Sequence, residues 1–338
     1  MTGAVYSYNL GQLALQSGVM LPSAQLVYQT FGRLNEAKDN AVLFPTWYSS
    51  KHESNVWLIG EGKALDPRQW FIIVPNLFSN GYSSSPSNTP APLDRMRFPL
   101  VTVYDNVQAQ MRLVREHLGV DRLALIVGRS MGAMAAFHWA ALFPDAVRCA
   151  LMLTGASRCS PHNYVFLAGL KAALTADGQW QGGEYDDQPL KGLAAFGRVY
   201  AGWMYSQDWY RLGKYSTSGQ VGIEDYLVEQ WDRAFVNRDA NDLLAQLSTW
   251  QNGDVSANAV FDGDHVAALK AITARCIVMP SRTDLYFPPG DNAAEVELMG
   301  NAELRVIDSC HGHRAGTAVS EPEDIAFVSR AIGDLLQH

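Results

Sequence analysis

Residues 123–132 read Leu-Ala-Leu-Ile-Val-Gly-Arg-Ser-Met-Gly, and the apolar run Met131–Leu142 follows without a gap. Leu123–Val127 is short, continuous and apolar, which is how a strand covered on both faces looks. Met131–Leu142 has the length and composition of a helix. Between them, Gly128-Arg129-Ser130-Met131-Gly132 is a G-x-S-x-G pattern at a strand-to-helix turn. A turn that sharp leaves no space for a Cβ atom at either flanking position, and glycine fills both. A serine hydroxyl is a poor nucleophile until it is held near a base and clear of other side chains. The helix N-terminus adds partial positive charge and places the Met131 N–H beside the hydroxyl. In a chain with 28 glycines among 338 residues, about 0.1–0.2 chance matches to the pattern are expected. The strand before it and the helix after it are what make Ser130 a specific candidate.

The same signals repeat outward from this turn. Leu26–Phe31, Ala41–Phe44, Trp70–Val74, Cys149–Leu153, Cys276–Met279 and Leu304–Ile307 are further buried-strand runs. Val107, Met111, Val114 and Leu118 recur at helical spacing, with Gly119 placed to end that helix, and Ile325–Leu336 reads as another helix. Strands alternating with helices predict an α/β protein with a mostly parallel sheet flanked by helices. Residues 160–271 differ: they are rich in Trp, Tyr, Ala and Leu and hold no clear buried strand. Arg198, Tyr205, Trp209 and Ile223–Trp231 fall in expected helices. The organisation expected is a core formed by 1–159 and 272–338, with 160–271 a helical lid inserted over the sheet. Internal repeats and low-complexity segments are absent.

Composition narrows the function classes. The chain is 48 % hydrophobic and 18 % charged, with a formal net charge of −8. A packed globular core follows, and an acidic surface without a basic run argues against nucleic acid as a partner. The first residues show no basic n-region followed by an apolar stretch, and no run of eighteen apolar residues occurs, so neither a signal peptide nor a membrane span is expected. Cys149, Cys159, Cys276 and Cys310 match no zinc or redox spacing. Reduced thiols in a cytoplasmic protein, with no metal and no cofactor, are the expectation.

A nucleophilic serine needs an imidazole, and the imidazole needs a carboxylate, in the chain order Ser, acid, His for this arrangement of strands. Asp284 follows the strand Cys276–Met279, and His313 follows the strand Leu304–Ile307. Both lie at carboxyl ends of strands, on the sheet edge that carries Ser130. His311 and Asp308 are the rivals within the same loops, although Gly312 lets the chain approach the turn closely just before His313. His52, His117, His138, His162, His265 and His338 read as surface or packing histidines. The loop Phe44–Ser50 can aim a second backbone N–H at a developing oxyanion, opposite that of Met131. Trp47 is the candidate donor, while the side chains of Trp47 and Tyr48 can equally line the edge of the core. The irregular stretch Asn76–Pro90 is either a pocket border or a solvated connection.

Four segments carry a family resemblance: IIVPNLFSNGYSSSPS at 72–87, FPLVTVYDNVQAQMRLVREHLGVDRLALIVGRSMGAM at 98–134, DLYFPP at 284–289 and SCHGH at 309–313. They resemble the homoserine O-acetyltransferase family of α/β hydrolases over most of the chain. The resemblance implies the α/β-hydrolase fold, a triad of Ser130, Asp284 and His313, a helical lid, and a homodimer formed through that lid. It also matches Arg198 and Tyr205 to the pair that faces the substrate carboxylate in the transferases.

The pattern departs at the site itself. The transferases read Gly-Gly-Ser-Met-Gly-Gly at the turn, where this chain has Arg129 and Ala133. Their loop His-Ala-Leu-Thr-Gly is replaced by Pro45–Ser49, and the aspartate that holds the homoserine amino group is replaced by Arg314. An ammonium buried beside a guanidinium is strongly disfavoured. The chain therefore looks closer to the esterase-like branch: a serine esterase of short-chain acyl esters, acetates above all, with a small-molecule ester as its partner. The alternative is an acyl-CoA-dependent O-acetyltransferase with another acceptor. A non-catalytic binding protein of the same fold is the third reading, and the complete triad set argues against it.

Overall fold

The computed structural model describes residues 3–218 and 222–337, so His338 lies outside the described residues. Among the described residues eight strands form one sheet: β1 Ala4–Ala14, β2 Met20–Phe31, β3 Ala41–Leu43, β4 Phe71–Pro75, β5 Leu125–Arg129, β6 Cys149–Leu153, β7 Arg275–Met279 and β8 Ala302–Leu304. Their order is β1-β2-β4-β3-β5-β6-β7-β8. The pairs β1–β2 and β2–β4 are antiparallel and all others are parallel. Around the strand that leads into the serine turn the register is Val42↔Leu125 and Ile126↔Ala150.

Ten α-helices accompany them among the described residues: α1 Val103–Met111, α2 Met131–Leu142, α3 Pro161–Thr175, α4 Leu190–Met204, α5 Gln207–Arg211, α6 Ile223–Tyr226, α7 Ala240–Gln251, α8 His265–Lys270, α9 Pro289–Leu298 and α10 Pro322–Leu336. α1 starts on a capping box between Thr102 and Asp105 and continues through a wider turn, Arg112–His117, before Gly119 at φ +66° ends it. No helix of the described residues is long and apolar enough to cross a membrane.

Strand alternation splits the core into two layers. Leu125, Val127, Leu151, Leu153, Ile277 and Met279 point to one face, where Val328, Ala331, Ile332 and Leu335 of α10 cover them. Ile126, Ala150, Met152 and Val278 point to the other, against α2. That helix is apolar all round, as its position between the sheet and further helices demands. Its polar side chains are bonded inward: the Trp139 indole donates to Gln110 Oε1 at 2.9 Å, and the His138 ring lies against Met134 O and Asp254 O. Helices α3 to α8 occupy the chain between β6 and β7, and Phe166, Leu170, Phe196, Tyr200 and Trp250 join their packing to the α2 layer.

Several sequence expectations shift. The strand before the turn pairs from Leu125 through Arg129, two residues later than expected, because Leu123 makes only an isolated bridge with Val147. The last strand pairs over Ala302–Leu304, and Ile307 bridges Ser281 alone. β2 begins at Met20, and β1 was not expected. Most β1 side chains are exposed because it is an edge strand, so it lacks the continuous apolar run of a buried one.

Candidate active site

Ser130 sits between the last residue of β5 and the first of α2, at φ 54° and ψ −125°. Its N–H donates to Leu153 O of β6 at 2.9 Å, and its carbonyl accepts from Ala133 N at 2.8 Å. These bonds hold a backbone conformation that a non-glycine residue rarely adopts. The flanking glycines are required by space. A Cβ on Gly128 would lie 2.3 Å from Gly132 O, and one on Gly132 would lie 3.0 Å from Thr46 O. The turn is therefore clamped between its own helix and the loop after β3.

The structure brings three of the expected residues into one relay. His313 Nε2 is 2.9 Å from Ser130 Oγ, and His313 Nδ1 is 2.8 Å from Asp284 Oδ2. Asp284 Oδ1 accepts from the N–H groups of Tyr286 at 2.8 Å and Phe287 at 3.3 Å. Since an ionised carboxylate only accepts, Nδ1 carries the proton and Nε2 faces the hydroxyl as acceptor. All three side chains are buried. Burial pushes the His313 pKa below the ordinary histidine value; Asp284 pulls it up, and Arg129 and Arg314 push it further down.

Asp284 follows β7, and His313 lies in the short turn Gly312–Arg314 beyond β8. Thr283, which carried no signal in the sequence, ties these loops together: its hydroxyl donates to Ser309 O at 2.7 Å and accepts from Gly312 N at 3.2 Å. The Tyr286 ring meets His313 edge-on at 4.6 Å between centroids. Gly312, at φ +57°, presses on the backbone of Met204–Ser206, where a Cβ would come within 2.9 Å.

The rivals stand elsewhere. His311 turns to Ser309 Oγ at 3.3 Å and to Glu321 at 4.0 Å. Asp308 is exposed and pairs with Arg282 at 2.5 Å. His138 is buried with its ring nitrogens against Met134 O and Asp254 O.

As the first residue of α2, Met131 follows Ser130 directly in the chain and has an N–H with no intrahelical acceptor. Trp47 differs from the expectation. Its N–H donates to Ser50 Oγ at 2.8 Å, and the same hydroxyl donates back to Trp47 O at 3.0 Å. This N–H serves an oxyanion only when Ser50 releases it. The Trp47 indole instead takes the Arg129 guanidinium over its face at 4.9 Å. The Asn76–Pro90 stretch is no loose solvated connection. Asn76, Asn80 and Ser83 are buried and bonded to one another, and Ser79–Gly81 border a cavity with Ser49 and Asp242.

Arg198 is not brought to the site. It lies on the outer side of α4, where Asp232 at 2.6 Å and Glu224 at 2.8 Å neutralise it in solvent. Tyr205 stacks on Trp209 at 3.9 Å, and both line a cavity of about 550 Å³ with Trp231, Tyr226 and Arg314. Arg314 is shared with a second cavity of about 280 Å³ that reaches Trp47 and Arg129.

A hydroxyl, an imidazole and a carboxylate in series, buried at the carboxyl ends of parallel strands, is an arrangement that can carry acyl transfer through a covalent serine ester. The alpha/beta hydrolase fold description matches residues 42–312. An ethyl acetate hydrolase from Pseudomonas veronii is 37 % identical over 90 % of this chain and 88 % of its own. A homoserine O-acetyltransferase from Nostoc punctiforme is 30 % identical over 89 % of this chain and 88 % of its own. The solved structure of an acetylester hydrolase from Corynebacterium glutamicum superposes with a TM-score of 0.95 at 35 % identity, covering 99 % of this chain and 96 % of that one. Strand order, serine turn and these similarities agree: the chain belongs to the α/β-hydrolase family, within the group that holds both acetate-ester hydrolases and homoserine O-acetyltransferases.

Proposed function

We propose that the protein is a serine carboxylic ester hydrolase acting on short-chain acyl esters, acetates above all. The observation that carries this reading is the unbroken hydrogen-bond series from Ser130 through His313 to Asp284. Ser130 Oγ attacks the ester carbonyl while its proton passes to His313 Nε2, and Asp284 stabilises the imidazolium that forms. The N–H of Met131, joined by that of Trp47 once Ser50 yields it, supports the tetrahedral oxyanion. The C–O bond to the alcohol breaks as His313 returns the proton to the leaving oxygen. Water, deprotonated by the same Nε2, then attacks the acyl-serine, and the acid departs as Ser130 regains its proton.

Residues 160–271 act in this reading as a lid, with Tyr205 and the neighbouring aromatic side chains shaping the space for the alcohol. A homodimer through that lid belongs to the same reading, supported by the exposed Tyr164, Val165 and Leu212. So does a cytoplasmic setting, supported by four free cysteines.

The second reading is acetyl transfer from acetyl-CoA, favoured by the similarity to transferases. Against homoserine as acceptor stands Arg314, the residue next to His313. The test is a panel of ethyl acetate, p-nitrophenyl acetate, and acetyl-CoA with homoserine. Steady ester hydrolysis indifferent to CoA, abolished in Ser130→Ala together with fluorophosphonate labelling, is the expected result. Efficient acylation of homoserine with negligible ester hydrolysis overturns the proposal.

A further inference from the structure

The 280 Å³ cavity beside the serine turn is lined by Arg129, Arg238 and Arg314 and, among the described residues, by no Asp or Glu. These arginines come from three distant parts of the chain, and two of them are placed by elements of the site. Arg129 is the last residue of β5 and precedes Ser130; Arg314 follows His313; Arg238 lies just before α7. In a chain of formal charge −8, three guanidiniums gathered in one cavity is a local reversal of sign.

Arg129 is the most telling of them. It is only 4 % exposed. One of its terminal nitrogens donates to His313 O at 2.8 Å, while its Nε is buried with no hydrogen-bond partner among the described residues. Burial and the neighbouring Arg314 push its pKa down to about 10. Asp284 is near enough to be felt, but its oxygens are committed to His313, Tyr286 and Phe287. Arg238 also borders the adjoining cavity that holds Asp239 and Asp242, and the Asp242 carboxylate is held by Ser87. A buried guanidinium without a counter-charge is costly, and an anion placed among three of them offsets that cost. The planar fork of arginine suits a carboxylate in particular, by two parallel charge-assisted hydrogen bonds. Ser54 and Thr317 on the same wall add hydroxyls, and Trp47 supplies an apolar side against which a short carbon chain can pack.

We propose that this cavity is a carboxylate-binding site adjoining the serine turn. Two sources share that chemistry: the acid released from the acyl-serine, and a carboxylate carried by the alcohol part of the ester. Only this question of source rests on the hydrolase reading; the site itself rests on the three arginines.

Sodium acetate titrated calorimetrically into wild-type protein at constant ionic strength tests the site without any turnover. Saturable binding is expected, with sodium chloride giving none. Arg238→Gln and Arg314→Gln, checked for unchanged melting, should each weaken acetate about tenfold or more, as loss of a charge-assisted bond does. A second arm compares kcat/KM for O-acetylglycolate with that for its neutral amide. A preference for the anionic ester of about tenfold, lost in both variants, identifies a substrate carboxylate. Acetate binding without that preference identifies the acid product. Absence of both, or acetate binding that neither variant changes, overturns the proposal. Acetate binding in a protein that hydrolyses no ester leaves the site standing and removes the hydrolase reading. Ester hydrolysis with no carboxylate effect does the reverse.

Discussion

Asp284→Asn isolates the electrostatic part of the relay. Asparagine is nearly isosteric, and its amide oxygen can keep the bonds from Tyr286 N and Phe287 N. Its amide nitrogen then faces His313 Nδ1, where the carboxylate oxygen stood at 2.8 Å. A donor there forces Nδ1 to become the acceptor and moves the ring proton to Nε2, which points at Ser130 Oγ. The base is presented in the wrong tautomer. The charge that stabilises the imidazolium in the transition state is lost as well. With charge centres about 4 Å apart and an effective dielectric of about 20, that attraction is worth about 4 kcal/mol, or about three decades of rate. Adding the tautomer effect brings the expected loss in kcat to about 10⁴-fold, the size seen when this change is made in a serine triad. Hydrolysis of p-nitrophenyl acetate measures it, with melting temperature as the control for folding. Asp308→Asn serves as the comparison: that carboxylate is exposed and bound to Arg282, and its loss should change the rate less than twofold. A loss below about tenfold in Asp284→Asn, in folded protein, refutes the assignment of Asp284.

Other perturbations test other parts of the structure. Gly128→Ala puts a methyl 2.3 Å from Gly132 O and 2.6 Å from Ala133 Cα; urea unfolding should show a loss of at least about 2 kcal/mol, and an unchanged midpoint would mean the turn is softer than described. Burial and two arginines hold His313 below its ordinary pKa, so the neutral base survives acidification and the acid limb of kcat/KM should lie below the usual histidine range. Removing one of those charges in Arg314→Gln should move that limb upward, and a downward shift contradicts the electrostatics. Burial raises the Asp242 carboxyl to about 7. The folded protein thus binds that proton more tightly than the unfolded chain, whose value lies near 3.9. Asp242 therefore lowers stability progressively as pH rises from about 4 through 7. Asp242→Asn should flatten that part of the pH–stability curve in urea titrations at pH 5 and pH 8, and an unaltered slope would rule the linkage out.

Local sterics and periodicity are written in the sequence itself. The serine turn is legible because its two glycines answer a clash made by residues within five positions of each other, Gly128 against Gly132 and Ala133. The central strands are legible because burial on both faces demands continuous apolar runs, and Cys149–Leu153 is one from end to end. Loops at the ends of such strands narrow the acid and the base to Asp284 or Asp308 and to His311 or His313. Beyond that, what matters is distance between segments remote in the chain, which only the tertiary structure decides. It turns His313 to Ser130 and His311 to Ser309, two residues apart with opposite outcomes. It faces Arg198 outward to two carboxylates, although its position on a helix is unremarkable in sequence. It gives the Trp47 N–H to Ser50 and sets β1 on the edge of the sheet, where an exposed strand needs no apolar run. It also gathers Arg129, Arg238 and Arg314 around one cavity. No spacing in the chain signals that meeting, because the three are joined only by how β5, the turn after β8 and the start of α7 pack together.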